Sequence, residues 1–111
     1  MSIAREITPQ KVEAVVWRII EIGKPKKLIL FGSYVRGRVH RNSDLDILVV
    51  TSDDIESPRK ESVRIRRALK GIPLAMDIVV VPESKLKESA EVPGLIYREA
   101  VRNGKVVYEA A

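Results

Sequence analysis

The chain has 111 residues, enough for one domain (1–111) around one hydrophobic core, and a net charge of +5 that favours anionic partners. It has no cysteine, which excludes disulfides and thiolate chemistry. No apolar run approaches the ~20 residues that span a bilayer, and the N-terminal segment lacks the apolar centre of a signal peptide. A cytoplasmic protein with no membrane association is expected.

Thr8-Pro9 predicts an N-cap followed by proline at the first helical position. Val12, Val15, Val16, Ile19 and Ile20 then recur at helical spacing, with Gly23 as the stop. Trp17 lies off that stripe and is read as a partly covered packing residue. Leu28–Phe31 and Leu45–Val50 are apolar runs of strand length. The insert between them opens with Gly32-Ser33, continues into a predicted short helix from Tyr34 to about Gly37, and closes on Asp44-Leu45-Asp46. Ser57-Pro58 predicts a further helix to about Lys70, with Gly71 as its stop. That helix carries Arg59, Lys60, Arg64, Arg66, Arg67 and Lys70 beside an apolar stripe of Ile65, Ala68, Leu69 and Ile72, supported by Val63. Its basic face has no interleaved aromatic residue, so a solvated surface is favoured over nucleic-acid binding. Ala75–Val81 predicts a third strand, interrupted by Asp77. Residues 82–90 hold a short helical turn. A last helix runs from Pro93 to Asn103, with Gly104 at its end, and Val106–Tyr108 forms a short final strand.

The chemistry concentrates in the insert. Residues i and i+2 of a strand share a face, so Asp44 and Asp46 project side by side. Carboxylates this close repel unless a proton or cation lies between them, and hard oxygen ligands suit Mg²⁺. Glycine lets a phosphate approach the backbone, and the Ser33 hydroxyl can donate to it. Asp77, a charge in an apolar strand, is costly unless paired or bound to metal. Arg36, Arg38, His40 and Arg41 add positive charge; Arg36 is assigned to phosphate, and His40 to a surface loop.

Gly32-Ser33, ten residues, then Asp44-x-Asp46 resembles the signature of the DNA polymerase β nucleotidyltransferase superfamily. Arg36-Gly37 and Ser43 bring it close to the minimal nucleotidyltransferase branch. The resemblance covers nearly the whole chain, through the tail from Gly94 to Ala110. It implies a nucleotidyltransferase fold of α+β type. It also implies metal ligation and catalysis by Asp44, Asp46 and Asp77, and nucleotide binding by Gly32, Ser33, Arg36 and Ser43. Two Mg²⁺ ions and ATP are the expected cofactor and substrate. The insert is more basic than is common in that family, which leaves the nucleotide open.

The site argument fixes a topology. If Gly32 and Asp44 meet one nucleotide, the first two strands are antiparallel. If Asp77 joins them, strands two and three are parallel, and residues 51–74 suffice for a helical crossover. A mixed sheet of three main strands plus a short C-terminal strand follows, with helices mainly on one face. A polymerase needs more chain than this to grip template and primer. The resemblance therefore implies a small all-helical HEPN-type protein as partner, with AMP transferred to its tyrosine as the antitoxin of a toxin–antitoxin pair. The alternative is a non-catalytic module that neutralises the same partner by occlusion. Transfer to a small molecule such as an aminoglycoside is the weaker third reading. A homo-oligomer is compatible with the sequence.

Overall fold

The computed structural model describes residues 6–38 and 43–111; His40 and Arg41 lie outside them. Helix α1 (Pro9–Gly23) starts where the Thr8 hydroxyl oxygen accepts from the Lys11 N–H at 3.2 Å. It ends one residue later than the glycine rule predicts. Lys24, not Gly23, takes the left-handed conformation (φ 45°), and its N–H closes on the Ile20 carbonyl. Helix α2 (Pro58–Ala68) starts in the same way, with Ser57 accepting from the Lys60 N–H. It ends two residues short of Lys70, and turns lead on to Gly71.

Strands β1 (Lys27–Phe31), β2 (Leu45–Thr51), β3 (Met76–Pro82) and β4 (Lys105–Glu109) form one sheet in the order β3-β2-β1-β4. β1 and β2 are antiparallel, and β2 and β3 are parallel with α2 in the crossover. This is the mixed topology that the site required. β4 joins antiparallel to the free side of β1, with an irregularity between Leu28 and Ile29. Its position was not legible beforehand.

Alternate strand residues feed two cores. Leu28, Leu30, Leu45, Ile47, Val49 and Ile78 pack with Val12, Val15, Ile19, Ile65 and Leu69 beneath α1 and α2. Ile29, Phe31, Leu48, Val50 and Val81 pack with Leu86 and Ala100. Those last two belong to α3 (Glu83–Ser89) and α4 (Ile96–Asn103). The two long helices thus cover one face as expected, and two short ones cover the other. Coverage on both sides is why β1 and β2 read as unbroken apolar runs rather than alternating ones. Each fully buried Leu or Ile contributes about 1.5–3 kcal/mol, so the strand ends are held on a rigid base.

Three local expectations change. α4 starts at Ile96 rather than Pro93. Gly104 is extended, not left-handed; a Cβ there would meet Ile29 Cγ2 at 2.6 Å and the Leu30 carbonyl at 2.8 Å. Close approach of chain to sheet, not turn geometry, requires that glycine. Trp17 is 60% exposed rather than a partly covered packing residue, and Val63, expected to support the α2 stripe, is exposed as well. Tyr108 packs against the first core and Tyr97 against the second, each partly buried.

Candidate active site

The site is built at one end of the sheet, where β1 finishes and β2 and β3 begin. Phe31 pairs with Asp46 across β1 and β2, and Asp46 pairs with Asp77 across β2 and β3. Register partners project to the same face. Asp46 and Asp77 therefore stand side by side on the α3/α4 face, with Asp44 just before β2.

Gly32 ties the other half of the motif to this cluster. Its φ is +80°, and a Cβ would fall on the Asp46 carboxylate, 3.0 Å from Cγ. Only glycine fits, for its backbone angle and for the room it leaves. The predicted helix after it does not form. Residues 33–37 are a turn, with Arg36 N–H on the Gly32 carbonyl (3.1 Å), Gly37 N–H on Tyr34 (3.2 Å) and Arg38 N–H on Ser33 (2.9 Å). Left-handed glycines at both ends, Gly32 and Gly37, stop the turn from propagating. No helix dipole is then available to an anion. The turn offers backbone donors instead: among the described residues, the N–H groups of Ser33, Tyr34 and Val35 donate to no backbone carbonyl. Successive free N–H groups in a turn make an anion-binding concavity.

Charge in the cluster is unbalanced. The Asp46 carboxyl is pushed above its ordinary range by burial, then by the charges of Asp77 and Asp44; Arg36 pulls it back down. Arg36 is anchored by Glu99 of α4, with Nη1 donating to Oε2 at 3.0 Å. Asn103 donates to the other carboxylate oxygen of Glu99 at 3.3 Å. Asp77 is drawn the opposite way. Arg66 reaches from α2 around the edge strand, 4.0 Å from Asp77 Oδ1, and donates to the Ile78 carbonyl at 3.3 Å. Glu99 and Arg66 were not singled out for the site in the sequence. They lie 63 and 11 residues from the groups they hold, on helices that periodicity alone cannot orient towards the site. Ser43 is buried (7% exposed) in the turn before Asp44.

The three carboxylates share one end of the sheet and an electrostatic field, with Asp46 and Asp77 on one face, yet their side chains do not close into a cage. Among the described residues, no three acidic or histidine groups are gathered tightly enough to hold a metal ion. Like charges repel, and Arg66 draws Asp77 aside. The donor chemistry still fits a hard divalent cation: all three are carboxylates, and a cation would offset the burial and the like charges that raise the Asp46 carboxyl.

A family profile described as "Nucleotidyltransferase domain" matches residues 12–107. A Methanocaldococcus jannaschii protein, provisionally named a protein adenylyltransferase, is 31% identical over 86 residues, 78% of this chain and 81% of that protein. A crystal structure from Sulfolobus solfataricus, provisionally named a nucleotidyltransferase, superposes with a TM-score of 0.62 at 18% identity, over 90% of this chain and 78% of that one. A toxin–antitoxin structure with AMP-PNP gives 0.57 at 24% identity, over 94% of this chain and 75% of that one. At such identities the structural likeness speaks for the fold alone. Among the described residues no helix is long and apolar enough to cross a membrane.

Proposed function

The chain belongs to the nucleotidyltransferase domain family, and from that premise we propose that it transfers AMP from ATP to a tyrosine hydroxyl of a small helical HEPN-type toxin, as that toxin's antitoxin. The observation that carries the chemistry is the close approach of Gly32 to the Asp46 carboxylate, with Asp46 in register with Asp77, which joins the proposed phosphate turn to the carboxylate cluster. The name of the Methanocaldococcus jannaschii relative supports a protein acceptor. The likeness to a toxin–antitoxin structure with AMP-PNP supports the partner and the nucleotide.

In this reading Ser33 and the free N–H groups of the turn bind the β- and γ-phosphates. Arg36, steadied by Glu99, offsets the charge that develops on departing pyrophosphate. Ser43 supports the loop that brings Asp44 to the nucleotide. Asp44, Asp46 and Asp77 would hold Mg²⁺, which supplies charge neutralisation at the phosphates and lowers the pKa of an acceptor hydroxyl. Asp77, on the edge strand β3, would take the acceptor proton in this reading. The acceptor oxygen forms a bond to the α-phosphorus as the bond from that phosphorus to the bridging oxygen of pyrophosphate breaks.

The test is intact-mass spectrometry of a helical HEPN-type toxin candidate after incubation with this protein, ATP and Mg²⁺. A gain of one adenylyl group, mapped to tyrosine, is expected. A partner that binds and is silenced with its mass unchanged would establish the occluding module instead.

A further inference from the structure

Helices α1 and α2 lie side by side on one face of the sheet, and the solvent side of this layer is divided by charge. On α1, Glu13 and Glu21 are exposed and stand four residues before and after Trp17, on one helical stripe with it. Trp17 is itself 60% exposed. On α2, Lys60, Arg64 and Arg67 are exposed around a groove of about 750 Å³ whose lining also includes Ile22, Val63 and Ala68. We propose that this layer is a two-fold interface between copies of this chain, with α1 of each copy laid on α2 of the other.

Charge argues for a second copy as the occupant. Among the described residues, Glu13, Glu21, Arg67 and Lys70 form no ion pair and no side-chain hydrogen bond. Lys60 and Arg64, by contrast, are held by Glu56 and Glu61. The chain thus carries unpaired acid on α1 and unpaired base on α2 and just past its end. A second copy supplies the complement of each.

The relative height of the helices argues for the symmetry. Arg18 donates to the Ala68 carbonyl at 2.8 Å, and Arg64 donates to the Ile22 carbonyl. The helices are therefore antiparallel, with Arg18 beside Ala68 and Ile22 beside Arg64. A two-fold axis along the helices, midway between them, sets α1 of one copy over α2 of the other at unchanged height. Trp17 then meets Arg67 and Ala68 at the end of the groove, with the guanidinium against the indole face. Glu21 falls between Arg64 and Arg67, and Glu13, beyond the end of α2, faces Lys70. Asp46 and Asp77 project on the α3/α4 face, so the pairing leaves both carboxylate clusters open and does not depend on the nucleotidyl-transfer reading.

The experiment is sedimentation equilibrium on the full chain over a concentration series, with emission from Trp17 read on the same samples. Trp17 is the chain's only tryptophan, so its emission reports this contact alone. Mass should rise from monomer to dimer, emission should move to shorter wavelength with it, and salt should weaken both changes. Two charge-reversed variants, Glu13→Lys with Glu21→Lys and Arg67→Glu with Lys70→Glu, alter exposed positions, and circular dichroism checks that they fold. Each alone should dimerise about tenfold or more weakly, because like charges now face each other twice. Mixed in equal amounts, the two should associate again, since each helix of one variant then faces its complement in the other. Trp17→Ala, which leaves the charges alone, should weaken the dimer as well. A monomer at every concentration overturns the proposal. So does a dimer that forms without a change in Trp17 emission, that survives Trp17→Ala and both charge reversals unchanged, or whose reversed variants stay apart on mixing. A monomer that instead binds a helical peptide with glutamates four residues either side of a tryptophan, or a short single-stranded oligoadenylate, overturns it too and assigns the face to a foreign acidic helix or to nucleic acid.

Discussion

Gly32→Ala tests the joint between the two halves of the site. A residue with a Cβ at φ +80° loses about 1–2 kcal/mol to left-handed strain. The same Cβ lands on the Asp46 carboxylate, which must leave its rotamer at a further ~0.5–1.5 kcal/mol. The stiffer unfolded chain returns about 0.4–1 kcal/mol. The net loss is about 2 kcal/mol, or ~8 °C in melting temperature for a chain of this size. Displacing a catalytic group by about 1 Å also lowers turnover ~100-fold. Calorimetry and α-label transfer read the two effects separately. In an Asp46→Ala background the carboxylate is gone, so the stability loss from Gly32→Ala should shrink by the displacement part, in a double-mutant cycle. A melting temperature within ~2 °C of wild type, or a loss unaffected by Asp46→Ala, would refute the close approach of Gly32 and Asp46.

Asp46→Asn should leave the melting temperature at pH 7 unchanged or higher. Its carboxyl is raised in the fold, so it costs stability as pH climbs from the ordinary value of 3.8 through the raised one, and the variant's advantage should vanish in acid, as calorimetry at both ends would read. A large drop at pH 7 would make Asp46 structural. Lys24→Gly should stabilise by about 0.5–1 kcal/mol in urea unfolding, because Lys24 holds φ 45° at the end of α1. Glu99→Ala should change stability by less than about 1 kcal/mol, since the pair with Arg36 is half exposed. In a titration it should weaken nucleotide binding severalfold by releasing Arg36, and tighter binding would mean that Glu99 competes with phosphate.

The sequence makes the local features of this site plain. Gly32-Ser33 and Asp44-x-Asp46 stand at fixed spacing, and strand alternation puts the two aspartates on one side. Requiring Gly32 and Asp44 to meet one nucleotide sets β1 and β2 antiparallel, and requiring Asp77 to join them sets β2 and β3 parallel, as found. What escaped is set by distant packing. The turn at 33–37 reads as a helix start because its local composition permits one; left-handed Gly32 and Gly37 forbid propagation. Glu99 on Arg36 and Arg66 beside Asp77 depend on how α4 and α2 are rotated on the sheet, which their own sequences do not encode. The second layer of helices was underweighted because α3 and α4 are 7 and 8 residues long and give little periodic signal.

The most direct test of a phosphate turn joined to a carboxylate cluster is the fate of label from ATP. With Mg²⁺ and the proposed toxin partner, α-labelled ATP should label the toxin and γ-labelled ATP should leave it unlabelled, releasing labelled pyrophosphate. Asp44→Asn and Asp46→Asn should abolish the transfer, since electrostatic stabilisation is usually the largest catalytic contribution. Ser33→Ala should retain some, losing about 2–4 kcal/mol of transition-state binding, the scale of one hydrogen-bond donor. All three substitutions should leave complex formation intact. Tight binding of the toxin with no α-label transferred, or transfer that survives in Asp46→Asn, would contradict the account.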